Sequence, residues 1–220
     1  MEDKRASNDL NKERNAIRLF DKHAQQYENL LMDVSSYNSS LEFVCQLLKA
    51  EQTQVLDLGC GPGNLSKYFL NRFPRLQLLG IDGSEKMIEL AQKNNPRASF
   101  LVQDLLNPNF SDQAFDLVIL GFCLPYLSGS EVKALFQALS NHLKPSALLY
   151  LSTMEALSEK SGKVTNSHGE QTIQFFYSFS DLAELLGDFG FEIEHISRVP
   201  IPKPGPFSKE DICIVARKSS

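Results

Sequence analysis

The sequence predicts an α/β fold, a three-layer sandwich built on a mostly parallel sheet. Three observations carry this reading. Between residues 55 and 153, short apolar runs of strand length alternate with amphipathic runs of helix length. A glycine-dense turn, Gly59-Cys-Gly-Pro-Gly63, follows the first strand-like run directly. The last two apolar runs, 191–199 and 212–217, are joined by a segment rich in proline that is too short for a crossover helix. Strands separated by helices are parallel, connect with a right-handed crossover, and carry helices on both faces. Two strands joined without a helix are antiparallel.

The elements follow in order. Residues 1–15 are polar and charged and read as a frayed terminus. From Ile17 to Leu31 the apolar positions fit an amphipathic helix interrupted once, and residues 41–50 fit a second. Strand 55–58 precedes helix 65–73, strand 76–81 precedes helix 85–93, and strand 99–102 precedes a loop at Asn107-Pro-Asn109. Strand 115–120 precedes helix 130–143, and strand 147–153 follows the break at Lys144-Pro145. Residues 155–172 are poorly patterned and read as a loop or lid. Helix 180–189 is expected to be capped by Ser180 and Asp181 and stopped by Gly190. Residues 1–50 form a helical cap on a domain spanning 51–220.

Composition narrows the function. The 220 residues suffice for one domain with a sizeable core. A net charge of −5 weighs against a dedicated nucleic-acid binder, which shows a basic excess. Cys45, Cys60, Cys123 and Cys213 have no metal-ligand or redox spacing, so free thiols and no metal are expected. The polar start has no signal-peptide core, and no window approaches the ~20 apolar residues of a membrane span. A cytoplasmic protein is the expectation.

The glycine turn carries the chemistry. A buried strand, a tight glycine turn and a helix make a nucleotide-cofactor site at the carboxyl end of a parallel strand. The dinucleotide fingerprint is Gly-x-Gly-x-x-Gly, and here the third glycine comes one residue early. Three acids separate the candidates. Asp82, after the second strand, can accept from ribose hydroxyls. Asp57, inside the first strand, suits a cationic amine better than a pyrophosphate, which it would repel. Asp104, after the third strand, can accept from an adenine amine. S-adenosylmethionine offers an ammonium, a ribose diol and an adenine amine, and no phosphate.

Several segments together resemble the class I S-adenosylmethionine-dependent methyltransferases. These are Val55-Leu-Asp-Leu-Gly-Cys-Gly-Pro-Gly-Asn64, Leu79-Gly-Ile-Asp-Gly-Ser84 with Met87, Val102-Gln-Asp-Leu105, Phe115-Asp-Leu-Val-Ile-Leu120 and Phe189-Gly-Phe191. The stretch Phe20-Asp-Lys-His-Ala-Gln-Gln-Tyr-Glu28 is similar to the small-molecule branch, which includes quinone C-methyltransferases and carboxyl O-methyltransferases of malonyl thioesters and trans-aconitate. The resemblance implies a Rossmann-like, seven-stranded sheet with an antiparallel last strand. It implies cofactor contacts from Tyr27, Asp57, Gly59, Cys60, Gly61, Asn64, Asp82, Gly83, Met87, Asp104, Leu105, Gly121 and Phe122.

The catalytic residues stay open. Cys123-Leu-Pro-Tyr126 lacks the Asn/Asp-Pro-Pro-Tyr of adenine amino-methyltransferases, and Pro125 stands where many small-molecule members carry a histidine. His168 in the expected lid, Tyr126 and Tyr177 are candidates, each with a plain alternative in solvation or core packing; Tyr37 is likewise either a pocket wall or core. The expected activity is methyl transfer to a small-molecule oxygen, nitrogen or carbon nucleophile. The lack of a convincing base favours a carboxylate or an already ionised acceptor. The alternatives are a nicotinamide-dependent oxidoreductase, which would need a Tyr-x-x-x-Lys relay that the chain lacks, and a cofactor-binding protein without turnover.

Overall fold

A computed structural model of the protein describes residues 2–110, 113–165, 169–201 and 208–219, with side chains from Ala16 onward. Helix α1 (Glu2–Leu31) departs from helical geometry once, at His23 (φ −113°, ψ 17°), the single interruption expected. It extends back through the stretch read as frayed, and no glycine or proline occurs before Gly59 to end it. Then follow α2 (Asn38–Leu47), β1 (Gln54–Leu58), α3 (Asn64–Arg72), β2 (Gln77–Asp82), α4 (Glu85–Asn94), β3 (Ser99–Val102), β4 (Phe115–Gly121), α5 (Gly129–Ser140) and β5 (Leu143–Glu155). The chain ends with β6 (Gly162–Thr165), β7 (Gln171–Gln174), α6 (Phe179–Asp188), β8 (Phe191–Pro200) and β9 (Glu210–Lys218).

Seven strands form one sheet in the order β3-β2-β1-β4-β5-β9-β8. The pairs among β3, β2, β1, β4 and β5 are parallel. β9 slots between β5 and β8 and is antiparallel to both. Alternate residues of each central strand feed two cores. Leu56, Leu58, Val118, Leu120, Leu149 and Leu151 pack against Val132, Leu135 and Phe136 of α5 and Leu182, Leu185 and Leu186 of α6. Val55, Leu117, Ile119, Leu148 and Tyr150 pack against Leu41 and Val44 of α2, Leu65 and Phe69 of α3, and Ile88 and Ala91 of α4. Both faces are covered, which is why β4 reads as a continuous apolar run rather than an alternating one.

Two local expectations are corrected. Residues 162–165 and 171–174 pair as an antiparallel hairpin inside the stretch read as a loop. Each strand is only four residues long, too short for alternation to stand out. Helix α6 is capped by Ser178, not Ser180: the Ser178 Oγ accepts from the Asp181 amide, and the Asp181 carboxylate accepts from the Ser178 amide. That reciprocal pair satisfies two amides at once, which a cap at Ser180 would leave open. Gly190, at φ +67°, ends the helix as expected.

Candidate functional site

A cavity of about 570 Å³ lies over the carboxyl ends of β2, β1 and β4 and continues to β5 and the start of β9. Its floor begins at the glycine turn. The amides of Gly59 and Cys60 donate to the Ile81 carbonyl at 2.8 and 3.0 Å, which ties the turn to β2. Gly59 has φ +66°, and a Cβ there would lie 2.8 Å from the Cys123 Cβ. Gly61, at φ +52°, instead faces open space, with no atom within 4 Å of where its Cβ would stand. Its amide donates to Asp82 Oδ2 at 2.9 Å, and the Ser84 amide donates to Asp82 Oδ1 at 2.9 Å. Burial raises the Asp82 pKa above the usual aspartate value. The backbone donors Ser84, Gly61 and Gly83 oppose that rise, and the Asp21 charge adds to it.

Helix α1 forms the roof. Ile17 covers Gly83, where a Cβ would come within 2.7 Å of its side chain. Asp21 accepts from the Ser84 hydroxyl at 2.5 Å, Glu28 accepts from Asn94, and Asn64 donates to the Leu31 carbonyl. At the kink, Lys22 and His23 both meet Glu170, the residue before β7. The Tyr27 ring lies 5.2 Å from Phe20 at a tilt of 55°, and Phe20 meets Tyr126 edge-on at 4.9 Å. Met87 and Leu105 add apolar wall.

The structure therefore gathers Tyr27, Gly59, Cys60, Gly61, Asn64, Asp82, Gly83, Met87, Leu105, Gly121 and Phe122 around one cavity, with Tyr126 and Tyr37. Phe122 sits at φ +56°, a conformation that costs a non-glycine residue about 1–2 kcal/mol. Its amide donates to the Ser152 carbonyl, and its ring lies 5.5 Å from Tyr37. Cys60 lines the floor, and burial pushes its thiol pKa well up, so it contributes backbone rather than reactivity.

Two of the expected acids point elsewhere. Asp57 is 1% exposed and does not reach the cavity lining. It lies on the α3 face of β1, where the Ser66 hydroxyl donates to it at 2.6 Å. Asp104 accepts from the Leu106 amide and from Asn107, closing its own loop, and is likewise absent from the lining. Tyr177 donates to the Leu127 carbonyl and lies outside the cavity, which is the packing alternative. His168 falls outside the described residues.

Burial lifts the Asp57 carboxyl to about 7, with Ser66 opposing the rise and Asp82 adding to it. A folded-state pKa above the unfolded one means the native protein holds a proton that the unfolded chain has released. Stability at this site is therefore full below about pH 4 and declines as pH rises toward 7. Asp57→Asn is expected to remove that decline, by on the order of a few kcal/mol at most. Denaturant titrations of both proteins at pH 5 and pH 8 check it; parallel losses would contradict the assignment.

Some lining residues were missed from sequence. Asp211 and Ser152, on adjacent strands, line the far end with Met154, Gln174 and Ile201. The available signal at Asp211 was an acid directly before the apolar run Ile212–Ala216.

Residues 55–146 match the family model described as a methyltransferase domain. The chain is 33% identical over 113 residues to a demethylmenaquinone methyltransferase of Thermotoga maritima, a match covering 50% of this chain and 49% of that protein. It is 36% identical over 101 residues to a trans-aconitate 2-methyltransferase of Variovorax paradoxus, covering 45% and 39%. The chain spans about half the length of the curated relatives it matches. In fold it is similar to a magnesium protoporphyrin IX methyltransferase from Synechocystis solved with bound S-adenosylhomocysteine, with a TM-score of 0.71, 19% identity, and 94% of this chain and 100% of that one covered. The described lining of the cavity holds acids and no Lys, Arg or His. A diol beside Asp82 and a flat apolar group between Met87 and Leu105 fit it.

Proposed function

We propose that the protein is an S-adenosylmethionine-dependent methyltransferase acting on a small molecule. The observation that carries this reading is Asp82: a cavity carboxylate tethered to the glycine turn, in a lining with no described cation. Asp82 would accept from both ribose hydroxyls. Met87 and Leu105 would enclose the adenine, Gly61 would let the backbone come close, and Gly121 and Phe122 would flank the reacting end. When bound, the cofactor supplies a methyl group already activated on a sulfonium. The protein's part is to align the acceptor with that methyl and to keep water out, and such alignment is worth ~7–11 kcal/mol. Helix α1, within the cap formed by residues 1–50, would close the site from above.

The acceptor is a small molecule, since the cavity is enclosed by α1 rather than open to a polymer, and no nucleic-acid partner is proposed. Among the described residues no helix is long and apolar enough to cross a membrane. A cytoplasmic location is part of this reading.

Calorimetric titration tests it. S-adenosylhomocysteine is expected to bind in the micromolar range, with no heat from NAD. Tight NAD binding without S-adenosylhomocysteine binding would overturn it in favour of an oxidoreductase. Turnover assays over a metabolite panel separate an enzyme from a silent binder.

A further inference from the structure

The cavity has a second end that the donor does not need. On the other side of Phe122 from the glycine turn, the floor passes to β5 and β9. Asp211 is the second residue of β9 and pairs with Met154 of β5, while Ser152 pairs with Cys213. Asp211 and Ser152 thus sit diagonally across adjacent antiparallel strands, about 7–8 Å apart. The Tyr37 hydroxyl, from the turn before α2, donates to Asp211 Oδ2 at 2.8 Å. Ser152 Oγ is fully buried on a residue that lines the cavity, and the adjacent Tyr150 hydroxyl is the one group that approaches it among the described residues. That Tyr150 hydroxyl donates instead to Cys213 Sγ. A buried hydroxyl short of partners is costly, so a site that keeps one on a cavity-lining residue is set to receive a ligand group. Phe122, Met154 and Ile201 supply apolar wall around these polar atoms.

We propose that Asp211, Tyr37 and Ser152 form the acceptor subsite, and that it takes an uncharged, largely apolar molecule whose nucleophilic atom carries a hydrogen, an aromatic hydroxyl or amine, rather than a carboxylate. This rests on the methyl-donor reading above. The charge pattern decides the class. The described lining carries Asp33 at the rim, Asp82 at the donor end and Asp211 at the acceptor end, and no cation. A carboxylate acceptor would face the Asp211 charge with no cationic side chain in the described lining beside it. A hydroxyl or amine would instead donate to Asp211, with Tyr37 holding that carboxylate in place and Ser152 taking a second polar group on the acceptor. In the reaction the acceptor oxygen or nitrogen forms a bond to the methyl carbon as the carbon–sulfur bond breaks. The electron pair of that bond stays on sulfur, turning the sulfonium into a thioether, and the acceptor's proton passes to Asp211.

The test is a binding comparison at neutral pH on the whole chain saturated with S-adenosylhomocysteine, using a naphthol and the matching naphthoate. The wild-type protein is expected to bind the naphthol at least about tenfold more tightly than the naphthoate. Asp211→Asn preserves the shape and an acceptor for Tyr37, and is expected to shrink that ratio by about tenfold. Ser152→Ala is expected to weaken any acceptor that carries a second polar group while leaving the ratio in place. Naphthoate binding as tightly as naphthol, binding of neither, or an unchanged ratio in D211N would overturn the assignment. The S-adenosylhomocysteine titration that precedes the comparison separates the two readings. If it shows no binding, the methyl-donor reading falls and the acceptor assignment falls with it. If it shows binding and the ratio fails, only the acceptor assignment falls.

Discussion

Asp82→Asn is expected to lower affinity for S-adenosylhomocysteine by roughly 100-fold. A carboxylate that accepts from both hydroxyls of a ribose makes two charge-assisted hydrogen bonds, each worth about 1.5–3 kcal/mol. Asparagine keeps the shape but turns one acceptor into a donor. That donor would then face an amide of Gly61 or Ser84, which already donates at 2.9 Å. The substitution removes a ligand contact and loosens the glycine turn together. The wild-type carboxyl is raised by burial, so cofactor affinity should fall on acidification from a higher pH than an exposed aspartate would give. Calorimetry across pH, on both proteins, checks the magnitude and the direction; a flat wild-type profile and an unchanged D82N affinity would count against the role given to Asp82.

Gly59→Ala should cost the fold about 2–5 kcal/mol. A left-handed backbone costs a non-glycine residue about 1–2 kcal/mol, and an extra methyl in a filled core adds about 1–3 kcal/mol. The methyl would stand 2.8 Å from Cys123 Cβ, an atom fixed to the backbone that has no rotamer to escape into. Gly61→Ala is the internal control. It has a similar positive φ but open space at the methyl position, so it should bear the backbone cost alone. Thermal melts are expected to place Gly59→Ala lowest, by roughly 5–15 °C below the wild type. Equal losses in the two variants would mean that the contact with Cys123 is not what distinguishes them.

The glycine-turn end of the cavity was legible because its signals are local. Gly59, Gly61 and Asp82 sit at the ends of adjacent strands within 24 residues, and the strand–turn–helix pattern announces them. Asp57 misled because it shares that neighbourhood. Strand parity places it with Val55 on the face covered by α3, where Ser66 meets it; composition of the turn alone does not reveal parity. Asp211 was not legible because its site exists only through pairing with β5 and the approach of Tyr37, 174 residues away in the chain. The β6–β7 hairpin was hidden for a related reason: its position is set by Glu170 against α1 as much as by its own short strands.

The cavity lining is also divided along the chain. Its floor at the glycine turn comes from the stretch between Gly59 and Phe122, inside the segment that the methyltransferase-domain model matches, whereas Tyr37, Ser152, Ile201 and Asp211 lie in the flanks outside it. Descent can therefore act on the two halves at different rates. A lineage that keeps the central stretch intact and lets the flanks drift retains its methyl donor while exploring new acceptors, and comparison of such lineages reports the inherited half far more readily than the one that diverged.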